Sequence, residues 1–221
     1  MAPIKQRIAQ RLARRHCLRV AAALLIGWGG AALGQQPVAL VLGDSISAGY
    51  GLPTGRGWVY LLAQKMEREG YRFKLVNASV SGETTLGGRN RLPPLLAQHH
   101  PAVVIVELGA NDGLRGGDLK TMRANLDTIV AASHSAGAKV LVLGMRIPPN
   151  YGPAYGREFQ ESFGTVAKTS KSALVPFLLV GFAERRDMFQ DDGIHPAIPA
   201  QAIMADTVFT ALRPLLEAVK R

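Results

Sequence analysis

The alternation of short apolar runs with longer amphipathic segments is the feature that most constrains how this chain folds. From Pro37 onward, each run with the length and composition of a β-strand is followed by a segment with helical periodicity. The predicted strands cover residues 38–42, 73–76, 102–108, 139–143 and 173–177, and the predicted helices cover 57–69, 85–99, 118–136, 153–171 and 199–219. This order predicts an α/β fold, a three-layer αβα sandwich around a five-stranded parallel sheet.

Two of the predicted strands, 102–108 and 139–143, are almost continuously apolar, as expected for strands that helices cover on both faces. No linker or low-complexity tract divides residues 35–221, so we expect one domain there. In a parallel sheet, ligands bind outside the carboxyl ends of the strands. Candidate functional residues should therefore lie directly after the predicted strands.

Residues 1–34 differ in composition from the rest of the chain. They carry six of the 26 Lys and Arg residues and none of the 16 Asp and Glu residues, and an apolar run of about 14 residues follows Arg19. A basic start, an apolar run of this length and small residues before a cleavage point are typical of a secretory signal peptide. The run is shorter than the roughly 20 residues that span a membrane, although an uncleaved N-terminal anchor is the competing interpretation.

The predicted signal peptide contributes six positive charges, so it changes how the net charge of the chain is interpreted. A net charge of +10 could indicate a nucleic-acid partner, but residues 35–221 hold 20 basic and 16 acidic residues with no basic cluster interleaved with aromatics. Cys17, the single cysteine, precedes the apolar run, so a chain cleaved after Gly34 has none and can form no disulfide or multi-cysteine metal site. We expect a periplasmic or secreted monomer that has no stable membrane span after cleavage and binds no nucleic acid.

A candidate nucleophile follows the first predicted strand directly, in the sequence Gly43-Asp44-Ser45. A serine at a strand-to-helix turn presents its hydroxyl at the edge of the sheet, and its backbone N–H can stabilise a developing negative charge. The segment is not the Gly-x-Ser-x-Gly turn of α/β-hydrolases, because Ser47 occupies the place of the second glycine. Simple capping of the following helix by Asp44 or Ser45 is the alternative interpretation.

A serine hydroxyl needs a base, and His195 is the best-placed histidine. It lies in a polar loop before the last predicted helix, whereas the other histidines after residue 34 lie at predicted helix ends. Asp192, three residues upstream, can bond the imidazole ring, fix its tautomer and stabilise the imidazolium that forms on proton transfer. Asp191 competes for this role, and a capped surface turn is the alternative interpretation of the whole segment.

Donors for a developing oxyanion are expected after the second and third predicted strands. Gly82 can bring a backbone N–H close to a ligand, and the Asn111 amide can donate without carrying a charge. Each residue alone also fits a turn that ends a strand. Their occurrence together with the serine and the Asp-x-x-His segment at one predicted sheet edge favours nucleophilic acyl transfer.

These blocks, in this order, resemble the SGNH (GDSL-type) hydrolase family. The resemblance covers essentially all of residues 35–221 and is greatest to the bacterial periplasmic thioesterase I branch, also described as lysophospholipase and arylesterase. The segments that carry it are 43–45, 77–84, 107–116, 146–152 and 190–196. The resemblance implies a flavodoxin-like fold, and hydrolysis of carboxylic esters and thioesters without a metal or organic cofactor.

The resemblance also implies roles for individual residues. Ser45, Asp192 and His195 would be the catalytic residues, and the backbone N–H groups of Ser45 and Gly82 with the Asn111 amide would form the oxyanion hole. The expected substrate is a small acyl ester or thioester, lysophospholipids included. Substrate-binding candidates are Asp44, Tyr151, Tyr155 and Ile194.

Two other functions stay open at this point. One is a carbohydrate O-acetylesterase, which the same fold supports. The other is a non-catalytic module that binds a membrane surface through the basic N-terminus.

Overall fold

A computed structural model describes residues 36–219 and shows a five-stranded parallel sheet with the strand order β2-β1-β3-β4-β5. The strands are β1 (Val38–Gly43), β2 (Lys74–Asn77), β3 (Val103–Glu107), β4 (Lys139–Leu143) and β5 (Ala173–Val175). The signal peptide predicted for residues 1–34 lies outside the described residues.

Helices follow the strands throughout. They are α1 (Ser45–Ala48), α2 (Trp58–Arg68), α3 (Thr85–His99), α4 (Ala110–Leu114), α5 (Leu119–Ser135), α6 (Pro153–Ser170) and α7 (Ile198–Val219), and short 3₁₀ turns cover Pro149–Tyr151 and Arg186–Met188. Helix α2 packs against α7, and α5 packs against α3 and α6. The chain steps from β1 to β2 in one direction and then through β3, β4 and β5 in the other, so right-handed crossovers place these two helix groups on opposite faces. The predicted three-layer sandwich is confirmed.

The core lies on both sides of the sheet. Strand β3 is buried at every position, and β1 and β4 at every position but their first, which explains their continuous apolar sequences. Large side chains without exposed surface, such as Trp58 and Phe159, fill the space between the sheet and the helices. Within residues 36–219, no helix combines the length and apolar character needed to cross a membrane.

The predicted element boundaries differ from the observed ones in two physically simple ways. Strand β5 ends at Val175 rather than at residue 177, because Pro176 follows and has no N–H to continue the ladder. No range was predicted for α1 or α4, because helices of four and five residues are too short to show a hydrophobic period.

The topology concentrates polar residues at one edge of the sheet. The strand order reverses direction between β1 and β3, which is where open parallel sheets form their ligand crevice. Gly43 pairs with Glu107 across these two strands. The residues that follow both strands therefore emerge side by side.

Candidate active site

The turn after β1 presents Ser45 as the first residue of α1. The Asp44 carboxylate caps this helix by accepting the Ile46 N–H at 3.0 Å. Helix α1 then packs so closely on the end of β1 that a Cβ at Gly43 would lie 2.7 Å from the Ser47 Cβ. Only glycine permits this approach, and it leaves the half-buried Ser45 side chain at the sheet edge.

Ser45, His195 and Asp192 form a continuous hydrogen-bonded chain. His195 Nε2 lies 2.8 Å from Ser45 Oγ, and His195 Nδ1 lies 2.6 Å from Asp192 Oδ2. The second oxygen of Asp192 accepts the backbone N–H groups of Ile194 at 2.9 Å and His195 at 3.0 Å. The aspartate thus holds both the ring and the backbone of the histidine, which is the arrangement that fixes an imidazole tautomer.

The charge on Asp192 is stabilised by these same bonds. Partial burial alone would raise the pKa of Asp192. The hydrogen bonds from His195 and Ile194 have a larger, opposite effect and lower the pKa to about 2. Asp192 is therefore ionised whenever the histidine could act as a base. It is Asp192, and not Asp191, whose carboxylate contacts the ring.

A single arginine anchors the loop that carries the histidine. The Arg186 guanidinium donates to the carbonyl oxygens of Phe189, Gln190 and Asp191 at 3.2, 2.7 and 2.8 Å. The Gln190 N–H also donates to the His195 carbonyl at 2.8 Å. This exposed loop has little apolar packing of its own, so these bonds define its conformation.

Three donors converge beside the serine hydroxyl. Among residues 36–219, neither the Ser45 N–H nor the Gly82 N–H donates a hydrogen bond, and Gly82 has the left-handed φ of +79° that favours glycine. Arg115 donates to the Gly82 carbonyl at 3.1 Å. The Asn111 amide donates to Asp44 Oδ2 at 3.1 Å and to the Glu83 carbonyl at 3.0 Å, so an oxyanion competes with two acceptors for this donor.

These groups line a cleft of about 230 Å³. Its lining residues are Asp44, Ser45, Ile46, Tyr50, Ser81, Gly82, Ala110, Asn111, Leu114, Ile194 and His195. Of the four predicted substrate-binding residues, the structure brings Asp44 and Ile194 to this cleft. Ile194 is 45% exposed and lies in the loop beside the histidine, whereas Asp44 is buried behind the serine.

A larger apolar cavity of about 380 Å³ adjoins the cleft and shares Ile46, Ala110, Leu114 and Ile194 with it. Its other lining residues are mostly apolar and come from the segments after β4 and β5. They are Met145, Arg146, Ile147, Pro148, Pro149, Phe177, Leu179, Ala183, Glu184, Phe189 and Gly193. Among residues 36–219, no group of three or more His, Cys, Asp and Glu residues could hold a metal ion.

Comparison with known proteins agrees with this geometry. The sequence pattern of the GDSL-like lipase/acylhydrolase family matches residues 41–202. The chain belongs to this family.

Named relatives are similar over most of their length. The chain is 50% identical over 187 residues to the esterase TesA of Pseudomonas aeruginosa. This match covers 83% of the chain and 93% of TesA. The chain is 40% identical over 177 residues to thioesterase 1/protease 1/lysophospholipase L1 of Escherichia coli K12, covering 80% and 84%. A crystal structure of the psychrotrophic esterase EstA from Pseudoalteromonas, inhibited by monoethylphosphonate, has a TM-score of 0.78 at 40% identity and covers 82% of this chain and all (100%) of that one.

Two predicted substrate contacts are not brought into the cleft of this family member. Tyr151 donates to the Leu114 carbonyl and Tyr155 to the Gly117 carbonyl, each at 2.7 Å, and neither ring lines the cleft or the apolar cavity. Their hydroxyls instead support the end of α4 and the turn that follows it, residues 113–117, and Leu114 of this segment lines both the cleft and the cavity. The sequence predicted both tyrosines as substrate contacts but could not show that their hydroxyls bond to main chain.

Sequence reasoning also missed a residue that touches the histidine. The ring centroid of Tyr50 lies 4.6 Å from that of His195 at an interplanar angle of 40°. The Tyr50 carbonyl accepts the Gln190 side-chain amide at 2.8 Å, which ties the nucleophile segment to the histidine loop. No local pattern marks Tyr50, although its position five residues after the serine places it near the same edge.

We expect Asp192 to titrate at about pH 2 in the folded protein, which a carboxyl-carbon NMR titration would measure. Because this pKa lies below the usual aspartate value of about 3.9, the charged form stabilises the folded state above about pH 4. That contribution is lost as the pH falls toward 2, and Asp192→Asn should remove this part of the pH dependence of the unfolding free energy. Titration of Asp192 near its usual value would contradict the predicted hydrogen-bonded state.

Proposed function

We propose that this protein is an exported serine esterase that hydrolyses carboxylic ester and thioester bonds of apolar acyl substrates through an acyl-enzyme intermediate. The observation that carries the proposal is the unbroken chain from Ser45 Oγ through both His195 nitrogens to Asp192. Family membership supports the same chemistry, since the matching pattern is that of lipases and acylhydrolases.

The first step forms a covalent bond between Ser45 Oγ and the substrate carbonyl carbon. His195 Nε2 accepts the hydroxyl proton at the 2.8 Å contact as Oγ attacks. The ionised Asp192 stabilises the imidazolium that results. Because Asp192 stays charged far below neutral pH, this step needs no change in its protonation.

The carbonyl oxygen gains a negative charge during this attack. The free N–H groups of Ser45 and Gly82 supply donors that are already in place, and the Asn111 amide completes the hole as the oxyanion displaces one of its acceptors. Collapse of the tetrahedral intermediate breaks the bond to the leaving group, which takes the proton from His195 and departs as an alcohol or thiol. Water, deprotonated by His195, then attacks the acyl carbon. The bond from this carbon to Ser45 Oγ breaks, Oγ takes the proton back from His195, and the acid is released.

The shape and lining of the site support an acyl chain as the recognised group. The apolar cavity shares four residues with the cleft, so a chain bonded at the serine can extend into it. The names of relatives include arylesterase and thioesterase/lysophospholipase, which fits one acyl site and varied leaving groups. Lysophospholipids, acyl thioesters and aryl esters are the substrates we propose.

A series of esters and thioesters with acyl chains of increasing length tests this function. We expect kcat/KM to rise as the chain lengthens from two to eight carbons, because added methylenes are buried in the apolar cavity. We expect Ser45→Ala to abolish hydrolysis and labelling by a fluorophosphonate probe. Activity that falls steeply with chain length would identify an acetylesterase instead, and wild-type hydrolysis by Ser45→Ala would overturn the assignment.

The oxyanion role of Asn111 predicts a selective loss of kcat. We expect Asn111→Ala to lower kcat by about 10²–10³, the usual loss for one oxyanion donor, measured as initial rates on a saturating aryl ester. Asn111→Asp should lose at least as much, because it presents a carboxylate to the forming anion. Asn90→Ala, which alters an exposed residue on α3, is the matched control and should match the wild type. Equal rates for both alanine variants would remove Asn111 from the mechanism.

We also propose that residues 1–34 direct export and are then removed. Their basic start, apolar run and small residues at 32 and 34 support this proposal. The mass of the protein recovered from outside the cytoplasm should correspond to a chain that begins near residue 35. An intact N-terminus on the exported protein would show that the segment serves as an anchor.

A further inference from the structure

Glu107 is a buried acid that the proposed mechanism leaves without a role. It is the last residue of β3 and has no exposed surface. Its Oε2 accepts the Ser47 hydroxyl at 2.6 Å and the Asp44 N–H at 3.3 Å. Its Oε1 is buried and has no hydrogen-bond partner among the described residues. A carboxyl group in such a place carries a large desolvation cost, so its contacts call for an explanation.

The two contacts of Glu107 flank the nucleophile. Asp44 precedes Ser45 and Ser47 follows it by two residues, so a single carboxyl oxygen holds the turn on both sides. The Ser47 carbonyl is held in turn by the Asn77 amide at 2.8 Å. The end of β3 is thereby connected to the strand-to-helix turn that carries the serine.

A second connection runs from Glu107 to the oxyanion hole. Asp44 is buried, and its carboxylate accepts the Ile46 N–H through one oxygen and the Asn111 amide through the other. An ionised Asp44 is the stronger acceptor for both bonds, one at each carboxylate oxygen. The side-chain amide of Asn111 is thus oriented by an acid that Glu107 itself contacts.

Burial makes it unfavourable for both acids to carry a charge. Burial raises the pKa of Glu107 well above its usual range, and the neighbouring Asp44 charge raises it further. Burial also raises the pKa of Asp44. Hydrogen bonds with Ile46, Glu107 and Asn111, and the electrostatic interaction with His195, act against this rise. Glu107 therefore holds the proton of the pair, and Asp44 keeps the charge that its donors require.

We propose that Glu107 is a positioning residue of this esterase, which fixes the nucleophile turn through Ser47 and Asp44 and, through Asp44, the orientation of the Asn111 amide. The inference rests on the proposed function, because it assigns Glu107 a role within that reaction and proposes no second reaction. Glu107 touches neither the substrate cleft nor the reacting atoms, so it acts only through these neighbours.

Two variants of similar side-chain length separate the contacts of Glu107 from its volume. Glu107→Gln keeps a neutral acceptor for Ser47 and Asp44, whereas Glu107→Met fills the same space without one. We expect Glu107→Met to lower kcat by about tenfold or more with KM within about twofold, because buried donors lose their acceptor. We expect Glu107→Gln to recover most of this loss, to within about threefold of the wild-type kcat.

The rates are measured per active site, counted by stoichiometric labelling with a fluorophosphonate. A residue with only a structural role would change the number of labelled sites or the melting temperature, and leave kcat per site unaltered. Wild-type kcat per site in Glu107→Met would therefore overturn the inference.

The pH profile gives an independent readout. The titratable groups that face Glu107 are Asp44 at the end of β1 and, beyond it, His195. Since the raised pKa keeps Glu107 neutral until the pH rises through it, ionisation above that pKa adds a second negative charge beside Asp44. We expect wild-type kcat to decline as the pH rises through this ionisation, and Glu107→Gln to lack that decline. Identical pH profiles for the two proteins would contradict the assignment of the proton to Glu107.

Ser47→Ala breaks the same contact from the other side and serves if Glu107→Met does not fold. Its matched control is Ser133→Ala, since Ser133 is equally buried and donates to the Ile129 carbonyl at 2.8 Å far from the cleft. We expect Ser47→Ala to lower kcat by about threefold or more with KM unchanged, and Ser133→Ala to match the wild type.

The outcomes distinguish this inference from the proposed function. Ester hydrolysis by the wild type but not by Ser45→Ala, with Ser47→Ala equal to Ser133→Ala, would overturn the role of Glu107 alone. Absence of ester and thioester hydrolysis in the wild type would overturn the proposed function itself.

Discussion

The pairing of β1 with β3 sets the position of every polar group behind the nucleophile. Gly43 lies opposite Glu107 in this pair, and both strands are buried by helices on each side. A slip of one residue would turn each apolar side chain to the opposite face and break its packing, so the register is strongly specified. The contacts of Glu107 with Asp44, and of Asp44 with Asn111, follow from this main-chain register.

The two halves of the site are held by different forces. Ser45 and Asn111 lie on turns that follow the buried strands β1 and β3, so the apolar core fixes them, whereas Gly82 follows the edge strand β2, which has no buried position. The Asp192–His195 loop is exposed, and its conformation depends on Arg186 bonds to main-chain carbonyls and on the contact of Tyr50 with the imidazole. The acid–base half of the site is therefore the half that dissolved ions reach most easily.

Sequence patterns predicted the features of this molecule that depend on residues close together in the chain. Strands buried on both faces must be apolar, so β1, β3 and β4 were evident, and a three-residue spacing lets Asp192 reach the ring of His195 within one turn. The contact of Glu107 with Asp44 joins residues 63 positions apart, and the sequence alone assigns this acid no role. Tyr50, Tyr151 and Tyr155 likewise take their roles from partners that only the folded chain brings near.

The separation of the nucleophile from its base in the sequence also determines when the site can form during synthesis. Ser45 emerges early in synthesis, but His195 lies 150 residues later, beyond the last strand of the sheet. No hydroxyl–imidazole contact exists until the C-terminal part of the chain has been made and has packed. A nascent or unfolded chain is consequently inert toward esters, and hydrolytic capacity arises only where folding is completed.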